Sequence, residues 1–212
     1  MNDIFIILIV GGVITVIFFG YYFNYNSDSK SRVKDLYAEG LDLLIAGKRK
    51  AAYHNFKEII DKDSDNIKAY LRLGQVLREG GNPTQALKIH KGLIHRKSLS
   101  HYEKIELHKN ISLDYFLSSN LNAAKEELFI ILRLDKTNEW ALNQLVAIFQ
   151  KQQKWSRASE YLEKYQKVAN KIDHHKLALF KVQEGRFLTE EKKFKEARKT
   201  FEDALNINGD LA

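Results

Sequence analysis

The chain has 212 residues, with 34 Lys and Arg against 27 Asp and Glu, a formal net charge of +7, one proline and no cysteine. That length holds one or two domains, and a lone proline among many Leu, Ala, Lys and Glu favours an all-α body. Absent cysteine excludes disulfides, thiolate metal sites and cysteine nucleophiles. The cations are interspersed with acids, which reads as a solvated helical surface and disfavours nucleic acid as a partner.

The first element is Ile4–Phe23, twenty residues without a charge, fourteen of them Ile, Leu, Val or Phe. A helix of that length spans ~30 Å, the thickness of a bilayer core. Summed over those side chains, insertion is favourable by about 5 kcal/mol. No basic region precedes the run and no A-x-A site follows it, so it reads as an uncleaved anchor rather than a signal peptide. Tyr21, Tyr22 and Tyr25 fit the membrane interface. Lys30, Arg32 and Lys34 follow the run, so the positive-inside rule places the remainder in the cytoplasm. Residues 1–23 are therefore tail and transmembrane anchor. Residues 24–32, NYNSDSKSR, read as a short polar linker.

From residue 33 a pattern recurs. Ala52 and Ala86 lie 34 residues apart, as do Gly40 and Gly74, and Ala124 and Ala158. Ala197 and Gly185 restore the pattern near the end. Within the second unit, Tyr70, Leu73 and Leu77 recur at helical spacing. Gly80-Gly81 ends that helix, Asn82 reads as an N-cap, and Pro83 fits the first helical position. A helix–turn–helix period of 34 residues is the tetratricopeptide signature. The expected fold is an all-α solenoid over 33–212, with repeats near 33–66, 67–100, 105–138, 139–172 and 178–211. Longer steps from Ala86 to Ala124 and from Ala158 to Ala197 imply small insertions near Ser98–Lys104 and Asn170–Lys176. Two repeats replace the first-helix glycine, by Ser112 and Val146.

Arrays of this kind bind partners on the face lined by their first helices. By phase that face includes Tyr37, Leu41, Leu44, Leu71, Gln75 and Arg78. Further along it includes Lys109, Leu113, Phe116, Asn143, Gln150, Lys151 and Arg186. The mixture of apolar groups and cations suits a protein or peptide surface. Some modules of this type clamp a C-terminal carboxylate with Lys and Asn in their first repeat; Tyr37 and Leu41 occupy those places here, which disfavours that ligand. The seven histidines carry no HExxH or matching carboxylate cluster, and no pair resembles an activated nucleophile and its base. No catalytic residue, cofactor or metal is expected, and the protein does not read as an enzyme.

Two stretches carry a more specific likeness: YAEGLDLLIAGKRKAAYHNFKEII (Tyr37–Ile60) and AYLRLGQVLREGGNPTQALKIHKGLI (Ala69–Ile94). The second places His90 where a plain repeat has an aromatic residue, and RKSLSHYEK follows it. With the anchor ahead of them, these resemble the LapB (lipopolysaccharide assembly protein B) family of Gram-negative bacteria. The resemblance implies an inner-membrane protein with cytoplasmic repeats. It further implies an adaptor that helps the protease FtsH control the level of LpxC and so regulates lipopolysaccharide synthesis. A membrane-tethered scaffold for another envelope or secretion complex is the alternative. The family ends in a rubredoxin-like module with paired Cys-x-x-Cys motifs. This chain has none, so the expectation is a fragment, a shortened member, or an end covered by a partner.

Overall fold

The computed structural model describes residues 2–96 and 99–209; of residues 2–10 and 21–30 it describes the backbone alone. Among the described residues there are ten α-helices and no strand: α1 (Asn2–Ile45), α2 (Arg49–Lys62), α3 (Ile67–Glu79), α4 (Pro83–Leu93), α5 (His101–Leu117), α6 (Leu121–Leu134), α7 (Glu139–Lys151), α8 (Trp155–Ala169), α9 (His174–Glu190) and α10 (Phe194–Ile207). They fall into two compact units, Met1–Gly81 and Asn82–Ala212. In the first, α1 packs on α2 and α2 on α3; in the second, each helix from α4 to α10 packs on the next.

The recurring alanines lie inside that packing. Ala52, Ala86, Ala124, Ala158 and Ala197 are all at most 3 % exposed. Sixteen residues after each first-helix landmark stands a bulky group whose size depends on the landmark. A Cβ on Gly40 would lie 2.9 Å from the Phe56 ring, and one on Gly185 only 2.6 Å from the Phe201 ring. Where Ser112 and Val146 replace glycine, the paired positions are Leu128 and Leu162, both buried. A smaller second-helix side chain thus makes room for a larger first-helix one, as close packing requires. The core of the second unit runs through Leu128, Ile131, Leu145, Ile148, Leu162 and Phe180.

The turns inside the hairpins share one backbone solution. Each has three residues, and the middle one takes positive φ: Gly47 (71°), Gly81 (86°), Ser119 (60°), Gln153 (56°) and Lys192 (62°). Glycine meets that demand without strain; the other three do not. Gly80 itself keeps φ −79°, so Gly81 carries the left-handed conformation. Pro83 opens α4, but the Asn82 side chain makes no cap hydrogen bond to that helix.

The structure gives form to two stretches of the sequence, and a third lies largely outside the described residues. The insertions are largely helical: α5 and α9 have 17 residues where α3 and α7 have 13, so most of each insertion becomes one extra turn of first helix. A capping box of Ser100 and Glu103 starts α5 early, and Asp173 caps α9. The linker expected at 24–32 is helical, because α1 continues unbroken through it. Ser, Asn and Asp are weak helix formers, but that stretch contains no Gly or Pro to stop a helix running in from both sides. The run Ile4–Phe23 lies largely outside the residues whose side chains are described; among the described residues, no helix is long and apolar enough to cross a membrane.

Candidate functional site

In the first unit the expected first-helix face is largely tied up in its own packing. Tyr37 is half-buried, its ring edge-on to Phe56 at 5.7 Å, and its hydroxyl accepts a 3.3 Å hydrogen bond from Arg72 Nε. Leu41 and Leu44 are half-buried beside it. Leu71 and Arg78 are each only 9 % exposed, so neither offers much surface. Gln75 accepts from Arg72 Nη1 at 2.6 Å and donates to Glu79 at 2.7 Å, forming a polar ladder along α3.

The second unit presents more. Phe116 on α5 is half-buried, and Lys151 at the end of α7 holds its ammonium 5.0 Å above that ring. Lys109, one face up α5, donates to Glu106 at 2.8 Å and lies 5.7 Å from the Trp140 ring on α7. Such cation–ring contacts are worth about 0.5–1 kcal/mol at exposed sites and fix where the charge points. Leu113 is half-buried on α5, while Asn143 and Gln150 project from α7 into solvent. Arg186 is exposed on α9 and joins none of these groups in a described contact. Trp140 belongs to this strip and was not among the expected residues. Its position at the second residue of α7 lies outside the phase used to choose them.

Two histidines are held by carboxylates. His90 Nδ1 of α4 lies 2.5 Å from Asp114 Oδ2 of α5, both completely buried. His108 Nδ1 of α5 lies 2.6 Å from Glu127 Oε2 of α6, each side chain 15 % exposed. Both pairs join neighbouring helices. Among the described residues, no three His, Asp or Glu side chains converge as a metal site would require.

Residues 43–102 match the family described as Tetratricopeptide repeat. The chain is 26 % identical over 155 residues to lipopolysaccharide assembly protein B of Escherichia coli K12, covering 72 % of this chain and 39 % of that protein. The protein of the same name from Haemophilus influenzae is 23 % identical over 159 residues, covering 71 % of this chain and 40 % of that one. The chain therefore spans about two fifths of the length of these relatives. Among solved structures, MamA superposes with a TM-score of 0.60 at 18 % identity, covering 84 % of this chain and 92 % of that one. YrrB, described as a TPR protein with an unusual peptide-binding site, superposes at 0.57 with 13 % identity, covering 83 % and 86 %. Residues 43–102 thus carry tetratricopeptide repeats, and the chain resembles lipopolysaccharide assembly protein B over 155 residues.

Proposed function

We propose that the protein is a membrane-anchored adaptor of the LapB kind, which helps FtsH set the level of LpxC and thereby regulates lipopolysaccharide synthesis. The observation that carries the reading is the likeness to lipopolysaccharide assembly protein B over 155 residues. The start of α1 supports the anchor. Val13, Ile14, Val16, Ile17, Phe18 and Phe19 are each at least 53 % exposed and spread around the helix. Apolar surface of that kind is stable in lipid and costly in water. Lys30, Arg32 and Lys34 orient the repeats toward the cytoplasm. Tethering an adaptor in the protease's own membrane raises the effective concentration of the pair.

The partner face in this reading is the first-helix strip, centred on Lys109, Phe116 and Lys151. The test is a strain lacking the gene, probed for LpxC protein and lipopolysaccharide. Both should rise; unchanged levels overturn the assignment. A scaffold for another envelope assembly is the second reading, favoured by an identity of only 26 % to that relative. Crosslinking in membranes separates the two by naming the partner.

A further inference from the structure

Lys154 and Arg157, at the start of α8, stand between two hollows and line both. One hollow, about 420 Å³, has a floor of Phe129, Phe149 and Tyr161. Phe149 and Tyr161 stack with centroids 5.3 Å apart, and Phe129 leans on Tyr161 at 6.3 Å. The other, about 500 Å³, is walled by Trp155, Phe187 and Leu188. Both volumes fall within the range of natural binding pockets. None of the first-helix residues chosen by phase lines either one.

The charge around them is uneven. Arg157 and Lys164 share one carboxylate, Glu160, at 2.7 Å each. Lys125 extends over the Phe149 ring at 5.6 Å. Neither Lys125 nor Lys154 meets a carboxylate among the described residues. Of the acids lining the hollows, Glu184 is engaged by Lys181 at 3.2 Å and Glu191 by Lys193 at 2.7 Å. Glu126 alone faces the two lysines of the first hollow. The result is a positive ridge with an aromatic hollow on each side.

We propose that this edge is a second docking site, separate from the first-helix strip, for an extended acidic peptide segment of a partner protein. Its carboxylates lie along the Lys125–Lys154 ridge and its apolar side chains enter the two hollows. Charge complementarity selects the acidic segment, and the paired hollows select apolar residues on either side of it. An adaptor joins two proteins, and this edge supplies a surface the proposed function does not otherwise use.

The experiment uses the full chain in detergent micelles and a short fluorescent peptide with two glutamates flanked by phenylalanines. Fluorescence anisotropy should report saturable binding, and replacing the glutamates by glutamine should weaken it. Lys125→Glu with Lys154→Glu should weaken it about tenfold. Phe187→Ala should weaken it too, and Lys136→Glu, just past the far end of α6 from Lys125, should leave it unchanged. Lys154 is the N-cap residue of α8, so a carboxylate there agrees with the helix dipole, and lost binding is not lost folding. Equal binding of the glutamine peptide, wild-type affinity in the double variant, or absence of binding each overturns the proposal. So does stoichiometric displacement of the peptide by short duplex DNA, which would mark a nonspecific anion patch.

Discussion

His90 Nδ1 and Asp114 Oδ2 meet at 2.5 Å with both side chains fully buried, joining α4 to α5. His90 stands sixteen residues after Gly74, where the first and last repeats place Phe56 and Phe201. The exchange of an aromatic ring for imidazole is therefore matched by a carboxylate on the next helix. Breaking a buried pair of this kind strands the surviving partner and costs about 3–5 kcal/mol. Asp114→Leu and His90→Phe should each destabilise the second unit by that order in urea titration. The double variant should recover part of the loss, since neither member of the pair is then left facing the other's site alone. Additive losses would show that the two residues act independently.

The glycine and ring pairs support a second exchange. Gly185 lies under Phe201, where an added Cβ comes within 2.6 Å of the ring. Gly185→Ala should cost about 1–3 kcal/mol through overpacking. Adding Phe201→Leu should restore much of it, because Val146 with Leu162 is an accepted combination elsewhere in the same chain. Thermal melts of the two variants beside wild type decide; a harmless Gly185→Ala would mean the ring moves freely.

What the sequence made legible follows from locality. The alanine phase and the glycines at Gly40, Gly74 and Gly185 are set within one hairpin, so periodicity alone located them. His90 stood out as a departure, but its partner is 24 residues on, in another repeat, and no local pattern points to Asp114. The extra turns of α5 and α9 were visible only as surplus length, since helix and loop insertions lengthen a repeat equally. Residues 24–32 misled because their polar composition resembles a linker, whereas continuation of α1 depends on its neighbours. Trp140 and the Phe129, Phe149 and Tyr161 floor arise where consecutive repeats meet, beyond the reach of a phase rule.

The hairpin turns offer stabilisation. Ser119, Gln153 and Lys192 hold φ between 56° and 62°, a conformation that costs an L-residue about 1–2 kcal/mol. Part of that gain is offset by glycine's larger entropy when unfolded. Ser119→Gly, Gln153→Gly and Lys192→Gly should each stabilise by about 0.5–1 kcal/mol, combining nearly additively because the turns are separate. Gly47→Ala and Gly81→Ala should do the reverse. Midpoints of chemical denaturation are the readout.

The turn after α6 should report on acid. Asp135 accepts hydrogen bonds from Asn138 Nδ2 at 3.0 Å, Thr137 Oγ1 at 3.0 Å and the Thr137 backbone N–H at 3.1 Å. The Asn138 bond first, then those from Thr137, hold its carboxyl below the ordinary aspartate range against the opposing effect of burial. A carboxyl lowered on folding stabilises fully above its unfolded pKa, about 4, and that contribution disappears as pH falls through the folded value. Asp135→Asn should therefore cost about 1 kcal/mol near neutral pH. The difference in Tm from wild type should shrink below about pH 4. A difference independent of pH would assign the loss to geometry rather than charge.

The anchor can be tested by its own energetics. Ile14 and Val16 are 61 % and 73 % exposed on α1, with no protein contact to lose. A lysine near the centre of a spanning helix costs about 2.5–3.5 kcal/mol. Ile14→Lys with Val16→Lys should thus cancel the roughly 5 kcal/mol that favours insertion. Wild-type protein should stay in carbonate-washed membranes, and the double variant should move to the supernatant. The exposed positions of these residues mean the repeats should keep their helical circular dichroism in the variant. Wild-type protein released by carbonate would remove the anchor from the proposed function while leaving the repeat surfaces and their docking sites untouched.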